Sequence, residues 1–132
     1  MSPAGHHLDG PAFAKAWAAA WNAHDVEAVL AHFADDVVFT SPIARQLLDG
    51  SDGVLRGKAA LRDYWTHALG LIPDLRFEVL GVYAGVDVLV INYRNQRGNI
   101  VCEVLAFDGP LVVVGHGTYL GADADPAGAE PA

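Results

Sequence analysis

Glu103 is the residue of this chain whose setting most plainly invites chemistry. In Val101-Cys102-Glu103-Val104-Leu105-Ala106-Phe107 the period-two alternation of a strand puts its carboxyl on the face that also carries Val101, Leu105 and Phe107. A carboxylate is disfavoured on an apolar face, so its pKa should rise toward the range useful for general acid or base work near neutral pH. The plainer alternative is a carboxyl at a polar rim, or one held in a buried ion pair with Arg94 or another base.

Aromatic side chains are the second candidate group. Trp17, Trp21, Phe33, Phe39, Trp65 and Tyr119 could line a pocket over that strand, although aromatics at helical spacing also serve as plain core. A pocket so lined would take a small, flat, hydrophobic molecule. Asn92, Tyr93 and Arg94 form a polar cluster late in the preceding strand, and the turn Asn95-Gln96-Arg97-Gly98 decides its orientation. A two-residue turn puts Asn92 and Val90 on the Glu103 face, whereas a longer one puts Tyr93 and Ile91 there.

Other reactive residues have weaker settings. His116 alternates with Gly115, Gly117 and Tyr119, so it points away from the cavity if Tyr119 points into it. His24, His32 and the pair His6-His7 have no metal-ligand spacing with a nearby carboxylate, and no metal is expected. Cys102 alternates away from Glu103, and neither a Gly-x-Ser-x-Gly elbow nor a phosphate-binding glycine loop is present. The expected chemistry uses no cofactor.

The elements that must position these groups divide by period into a helical first half and a β-rich second half. Phe13, Trp17, Ala20 and Trp21 form one stripe of a helix over 11–22, and Asp25 is placed to cap a second helix, 26–33. Val37–Thr40 reads as a strand stopped by Ser41-Pro42, and 43–56 as a turn-rich loop and candidate lid. A third helix over 58–68 presents Leu61, Tyr64, Trp65 and Ala68, with Gly70 as a terminator. Strands are expected at 75–83, 86–94, 99–107 and 111–119, joined by short hairpin turns. Residues 1–10 read as a flexible leader, 11–120 as the domain and 121–132 as a disordered tail.

Composition narrows the partners. Of 132 residues, 52% are hydrophobic and only 18% charged, against about 25% charged in an ordinary domain. So much apolar surface calls for a lined pocket or a subunit contact beyond one small core. Several strands are apolar on both faces, which suits a homodimer through the outer sheet face. The net charge of −8, with no basic run, disfavours nucleic acid and membrane surfaces. A single thiol, no signal-like opening and no long apolar stretch suggest a cytoplasmic protein.

Together, Ala20-Trp21-Asn22-Ala23-His24-Asp25, Phe33-Ala34-Asp35-Asp36-Val37, Ser41-Pro42, Leu55-Arg56-Gly57 leading into Leu61, Tyr64-Trp65, and Glu103-Val104-Leu105-Ala106-Phe107-Asp108 carry a resemblance. The chain resembles the SnoaL-like branch of the nuclear-transport-factor-2-like superfamily over roughly 11–120. That implies an α+β, cone-shaped fold, with three N-terminal helices packed on a strongly curved, mainly antiparallel sheet enclosing a pocket. It also implies an isomerase-, cyclase- or dehydratase-type protein, or a dimeric binding or accessory domain without chemistry. Relative to ketosteroid isomerases, Glu103 stands at the oxyanion-hole acid. Ser41 stands at the general base, Trp17 at the first-helix tyrosine, and Phe33 and Trp65 at its two supporting tyrosines. A serine has no useful basicity near pH 7, so standard steroid isomerisation is not implied.

Overall fold

A computed structural model describes residues 8–48 and 50–121. Most of the expected leader and almost all of the expected tail lie outside the described residues. Helix α1, Gly10–Asn22, starts one residue before the expected domain boundary, because Asp9 caps it by accepting from the Ala12 N–H at 3.0 Å and Pro11 needs no donor there. Its stripe buries Trp17 and Trp21. Asp25 caps α2, Val26–Leu30, as its position suggested, accepting from Ala28 at 3.1 Å.

The second helix is shorter than its periodicity predicts. Phe33 pairs with Val112, and the His32 carbonyl accepts from the Val112 N–H at 2.9 Å, which pulls the chain into β1, Phe33–Thr40. The stretch 43–56 is likewise not an irregular loop. It holds the short helix α3, Pro42–Leu47, and the strand β2, Val54–Arg56, so the domain has four helices among its described residues. Helix α4, Lys58–Leu71, runs through Gly70 instead of stopping before it.

Strands β3 (Glu78–Gly85), β4 (Val88–Arg94), β5 (Ile100–Asp108) and β6 (Leu111–Tyr119) complete a six-stranded sheet in the order β2-β1-β6-β5-β4-β3. All pairs are antiparallel except β1 with β6. The sheet is curved and unclosed, with the helices on its inner face, in keeping with the α+β expectation. Gly115 lets it curve tightly: a Cβ there would sit 2.6 Å from Cδ2 of Phe39 on the neighbouring strand. Between inner face and helices lies one core that includes Trp17, Trp21, Phe33, Phe39, Trp65, Ile91, Tyr93 and Leu105.

Candidate functional site

The hairpin between β4 and β5 settles which side chains face Glu103. Asn95 closes it by accepting from the Gly98 N–H and donating to the Asn99 carbonyl, and Gly98 takes φ +85, leaving a three-residue loop, 96–98. In that register Ile91 is opposite Glu103, and Tyr93 is opposite Val101. The longer-turn alternative is therefore the one realised. Asn92 pairs with Cys102 on the outer face and does not join the site, a correction that follows from the single extra turn residue.

Across β5 and β6, Glu103 is opposite Gly117, Leu105 opposite Gly115 and Val101 opposite Tyr119. Val101, Leu105 and Tyr119 thus share the inner face, with Tyr119 half-buried near its end. His116 lies on the outer face, opposite Val104, where its Nδ1 meets Thr40 Oγ1 at 2.6 Å.

Above Glu103 the aromatic rings touch one another. Trp21 meets Trp65 edge-on at 5.0 Å between ring centres, and Trp65 meets Phe33 and Phe39 at 5.4 and 5.5 Å. Trp17 stacks on Phe77 at 5.5 Å and meets Tyr93 at 5.2 Å. Phe77 is held by Asn22, whose side-chain amide donates to the Phe77 carbonyl at 3.0 Å and accepts from its N–H at 2.7 Å. His24 adds a contact from Nε2 to the Leu75 carbonyl at 2.9 Å. The Asn22-Ala23-His24 corner thus fixes the segment that closes one end of the aromatic cluster.

Glu103 is 1% exposed, and neither carboxyl oxygen has a hydrogen-bond partner within the protein. Burial pushes its pKa up to about 8, so near pH 7 it is mostly protonated. Neither the polar-rim nor the ion-pair alternative is realised: Arg94 pairs instead with Glu78 at 3.1 Å on the exposed side. The indole N–H groups of Trp17, Trp21 and Trp65 are also buried without partners. An unmet buried polar group costs about 1–3 kcal/mol, so these side chains are the costly ones of the interior.

Ser41 sits beside this group with its hydroxyl already engaged. It caps α3 by accepting from the N–H groups of Ile43 at 3.1 Å and Ala44 at 3.4 Å, and it is 2% exposed. Tyr64 is the site residue that sequence reasoning missed. Burial chiefly raises its pKa above the ordinary phenol range; the neighbouring Ser41 hydroxyl opposes this and the Glu103 charge adds to it. Its spacing with Leu61, Trp65 and Ala68 reads as core, and spacing does not show that the Glu103 charge reaches its hydroxyl. An open groove of about 650 Å³, lined by residues including His24, Val26, Glu27, Thr66 and Leu69, lies at the α1–α2 corner and contains no residue of the inner sheet face. Among the described residues no cluster of His, Cys, Asp or Glu could hold a metal ion, and no helix is long and apolar enough to cross a membrane.

Helices on the concave face of a curved sheet, over a buried acid, define a protein of the nuclear-transport-factor-2-like fold. An NTF2-like protein of Cytophaga hutchinsonii ATCC 33406 superposes with TM-score 0.63 at 10% identity, covering 80% of this chain and 85% of its own. Within that class the chain belongs to the SnoaL-like domain family, whose model matches residues 14–128. A crystal structure of a SnoaL-like protein of unknown function from Burkholderia thailandensis E264 is 41% identical, covers 84% of this chain and 93% of its own, and gives TM-score 0.80. TerC, co-crystallized with polyporic acid, shares the fold at TM-score 0.67 and 16% identity over 80% of this chain and 87% of its own. No curated protein sequence matches the chain.

Proposed function

We propose that this SnoaL-like protein carries out cofactor-free acid/base catalysis, of the isomerase, cyclase or dehydratase type, on a small hydrophobic carbonyl or polycyclic compound. The observation that carries the reading is the Glu103 carboxyl, buried and unpartnered at the floor of an aromatic cluster and held mostly protonated near pH 7 by burial. Its role is to give a proton, or a strong hydrogen bond, to a carbonyl oxygen of the ligand, stabilising the negative charge that grows there as the reaction proceeds. The aromatic side chains supply a dry, flat environment in which that bond counts for more than in water. The family includes polyketide cyclases and hydroxylase-like relatives, which is consistent with such substrates.

Glu103→Gln keeps the shape and a polar head but cannot transfer a proton. Turnover of aromatic ketones, and of whatever molecule co-purifies with the protein, should fall by about 10²–10⁴-fold in this variant. Full activity in the variant would remove Glu103 from the mechanism.

A second reading is favoured by Ser41. The position where isomerases of this fold keep their base holds a hydroxyl committed to capping α3. On that reading the protein binds a small hydrophobic ligand without transforming it. A tightly held compound released unchanged by native protein, in an assay where Glu103→Gln alters affinity alone, would support it.

The outer sheet face is the second functional surface. Val90, Cys102, Val104, Ala106, Val114 and His116 are half-buried there, and none is acidic. Two chains of net charge −8 repel overall, so an acid-free patch is where they can meet. The occupant inferred for this face is a second copy of the chain.

A further inference from the structure

The indoles around Glu103 are covered as deeply as its carboxyl: Trp17 and Trp65 are 0% exposed and Trp21 1%. A ligand reaches that interior only if part of its coat moves. The parts of the coat are held differently. Helices α1 and α4 have their own backbone ladders and bury apolar stripes. Segment 41–57 is tied down by main-chain bonds, from the Ser41 N–H to the Gly53 carbonyl at 2.9 Å and from the Gly57 N–H to the Val37 carbonyl at 2.7 Å.

The strap 72–77, between α4 and β3, is neither helix nor strand. Its main-chain bonds are local, from the Ile72 N–H to the Ala68 carbonyl at 3.0 Å and from the Leu75 N–H to the Ile72 carbonyl at 3.1 Å. Side chains tie it to the rest of the fold. Asn22 holds Phe77 by two bonds, His24 Nε2 meets the Leu75 carbonyl, and Gln96 Oε1 accepts from the Arg76 N–H at 3.2 Å. Such bonds break singly, without unzipping a ladder. The strap nevertheless sends Leu75 and Phe77, each 2% exposed, into the core. The Phe77 ring centre lies 4.3 Å from that of Tyr93, 5.5 Å from Trp17 and 5.6 Å from Trp21.

We propose that the strap 72–77 is the entrance to the interior: it swings outward, withdrawing Phe77 from Tyr93, Trp17 and Trp21, and Asn22 is its latch. The inference rests on the reading of Glu103 as the acid of a ligand site, and it supplies the way in that a closed site needs. Tyr93 is opposite Val101, and Glu103 follows two residues along the same face of β5, so the space that Phe77 leaves leads toward the carboxyl. Opening also gives water to the indole Nε1 atoms of Trp17 and Trp21, which have no partner while the strap is closed. That gain offsets part of the lost ring contact.

Deuterium exchange of the three indole N–H groups, followed by NMR in the full chain, tests this. Trp17 and Trp21 lie against Phe77, whereas the ring neighbours of Trp65 are Trp21, Phe33 and Phe39. In native protein the Trp17 and Trp21 indoles should therefore exchange faster than that of Trp65, and with little dependence on urea. Asn22→Ala removes two bonds and should speed both by about five- to a hundredfold. His24→Gly suits the left-handed backbone at φ +57 and removes only the ring, so it should speed them by about two- to tenfold. Gly115→Ala, which strains the packing around Phe39, should leave them at the native rate.

Equal acceleration in Gly115→Ala and Asn22→Ala would mean that exchange follows global stability, and would overturn the strap as entrance. Should Asn22→Ala not fold, native protein decides: Trp17 and Trp21 exchanging at the rate and urea slope of Trp65 overturns the proposal. Acrylamide, a neutral quencher larger than water, should quench the tryptophans more strongly in Asn22→Ala than in native protein. Faster exchange without stronger quenching would show an opening that admits water alone, and would also overturn it. None of these readouts involves proton transfer by Glu103, so full activity in Glu103→Gln would remove the acid/base reading separately.

Discussion

Strand β5 has two faces that invert the usual rule for a sheet. Its inner residues, Val101, Glu103, Leu105 and Phe107, are buried, and one of them is an acid; its outer residues, Ile100, Cys102, Val104 and Ala106, are half-buried, and none is charged. Antiparallel sheets commonly set apolar side chains inward and polar ones toward water. Each face departs from that pattern, and the proposed ligand and the proposed second chain are what would answer the two departures. Inside, a polar group has no hydrogen-bond partner in the protein, and outside, uncharged side chains stand half-buried. The inner departure makes the larger demand on stability, because a buried carboxyl gives up its hydrogen bonds to water, whereas a half-exposed valine has none to give up.

That difference predicts how stability responds to pH. The Glu103 pKa rises from an unfolded value near 4.5 to about 8 in the folded protein. Below 4.5 both states carry the proton and the stability linked to this group is fully present. Between 4.5 and about 8 the unfolded chain releases the proton first, so stability falls with rising pH, by at most about 1.4 kcal/mol per pH unit. Above about 8 the loss is complete. Urea titrations across this window should show the decline in native protein and its absence in Glu103→Gln. Parallel curves for the two would mean that the carboxyl is solvated after all.

Packing on the inner face gives a smaller effect. Gly115 stands two residues along β6 from Gly117, the partner of Glu103, and an added Cβ would meet Phe39 Cδ2 at 2.6 Å, Phe39 Cε2 at 2.8 Å and Leu105 Cδ2 at 3.3 Å. Phe39 is 0% exposed and lies against Trp65, so it has little room to yield. Gly115→Ala should therefore cost about 1–3 kcal/mol, seen as a lower urea midpoint with an unchanged slope. A change under about 0.5 kcal/mol would show that the inner face is loosely packed.

What the sequence revealed of these faces depended on period. Strand β6 lies where its alternation and flanking turns put it, Leu111–Tyr119, and Glu103 was recognisable because an acid interrupts an apolar period of two. Residue Asn92 was ambiguous because one turn residue reverses the facing of a whole strand, and turn length is set by the Gly98 conformation and not by strand composition. Helix α3 was hidden because six residues span too few turns to display a period, and the glycines and aspartates after it read as loop. The role of Ser41 as its cap was hidden with it. Tyr64 shows a different limit: spacing identifies a buried helix face but says nothing about which polar groups its hydroxyl lies near.

The outer face is tested by the residue next to Glu103. Val104 is half-buried, pairs with Val90 and His116, and is surrounded by side chains without charge. Val104→Lys puts an ammonium at the middle of this patch, where a free chain can direct it into water at a cost of about 0.5–1 kcal/mol. In a pair of chains meeting face to face, two such ammonium groups would be buried against each other with no acid on the patch to receive them. The variant should thus sediment as a 14.0 kDa species at micromolar concentration, where the proposed pairing would make native protein sediment at twice that mass, with a urea midpoint in dilute solution close to native. A native chain that is itself monomeric at that concentration would refute the pairing, and the apolar outer face would then need another occupant. The substitution acts one residue from the acid but on the opposite side of the sheet, so it should leave the pH dependence of stability unchanged. Loss of that dependence in Val104→Lys would mean that the two faces are energetically coupled through the strand they share.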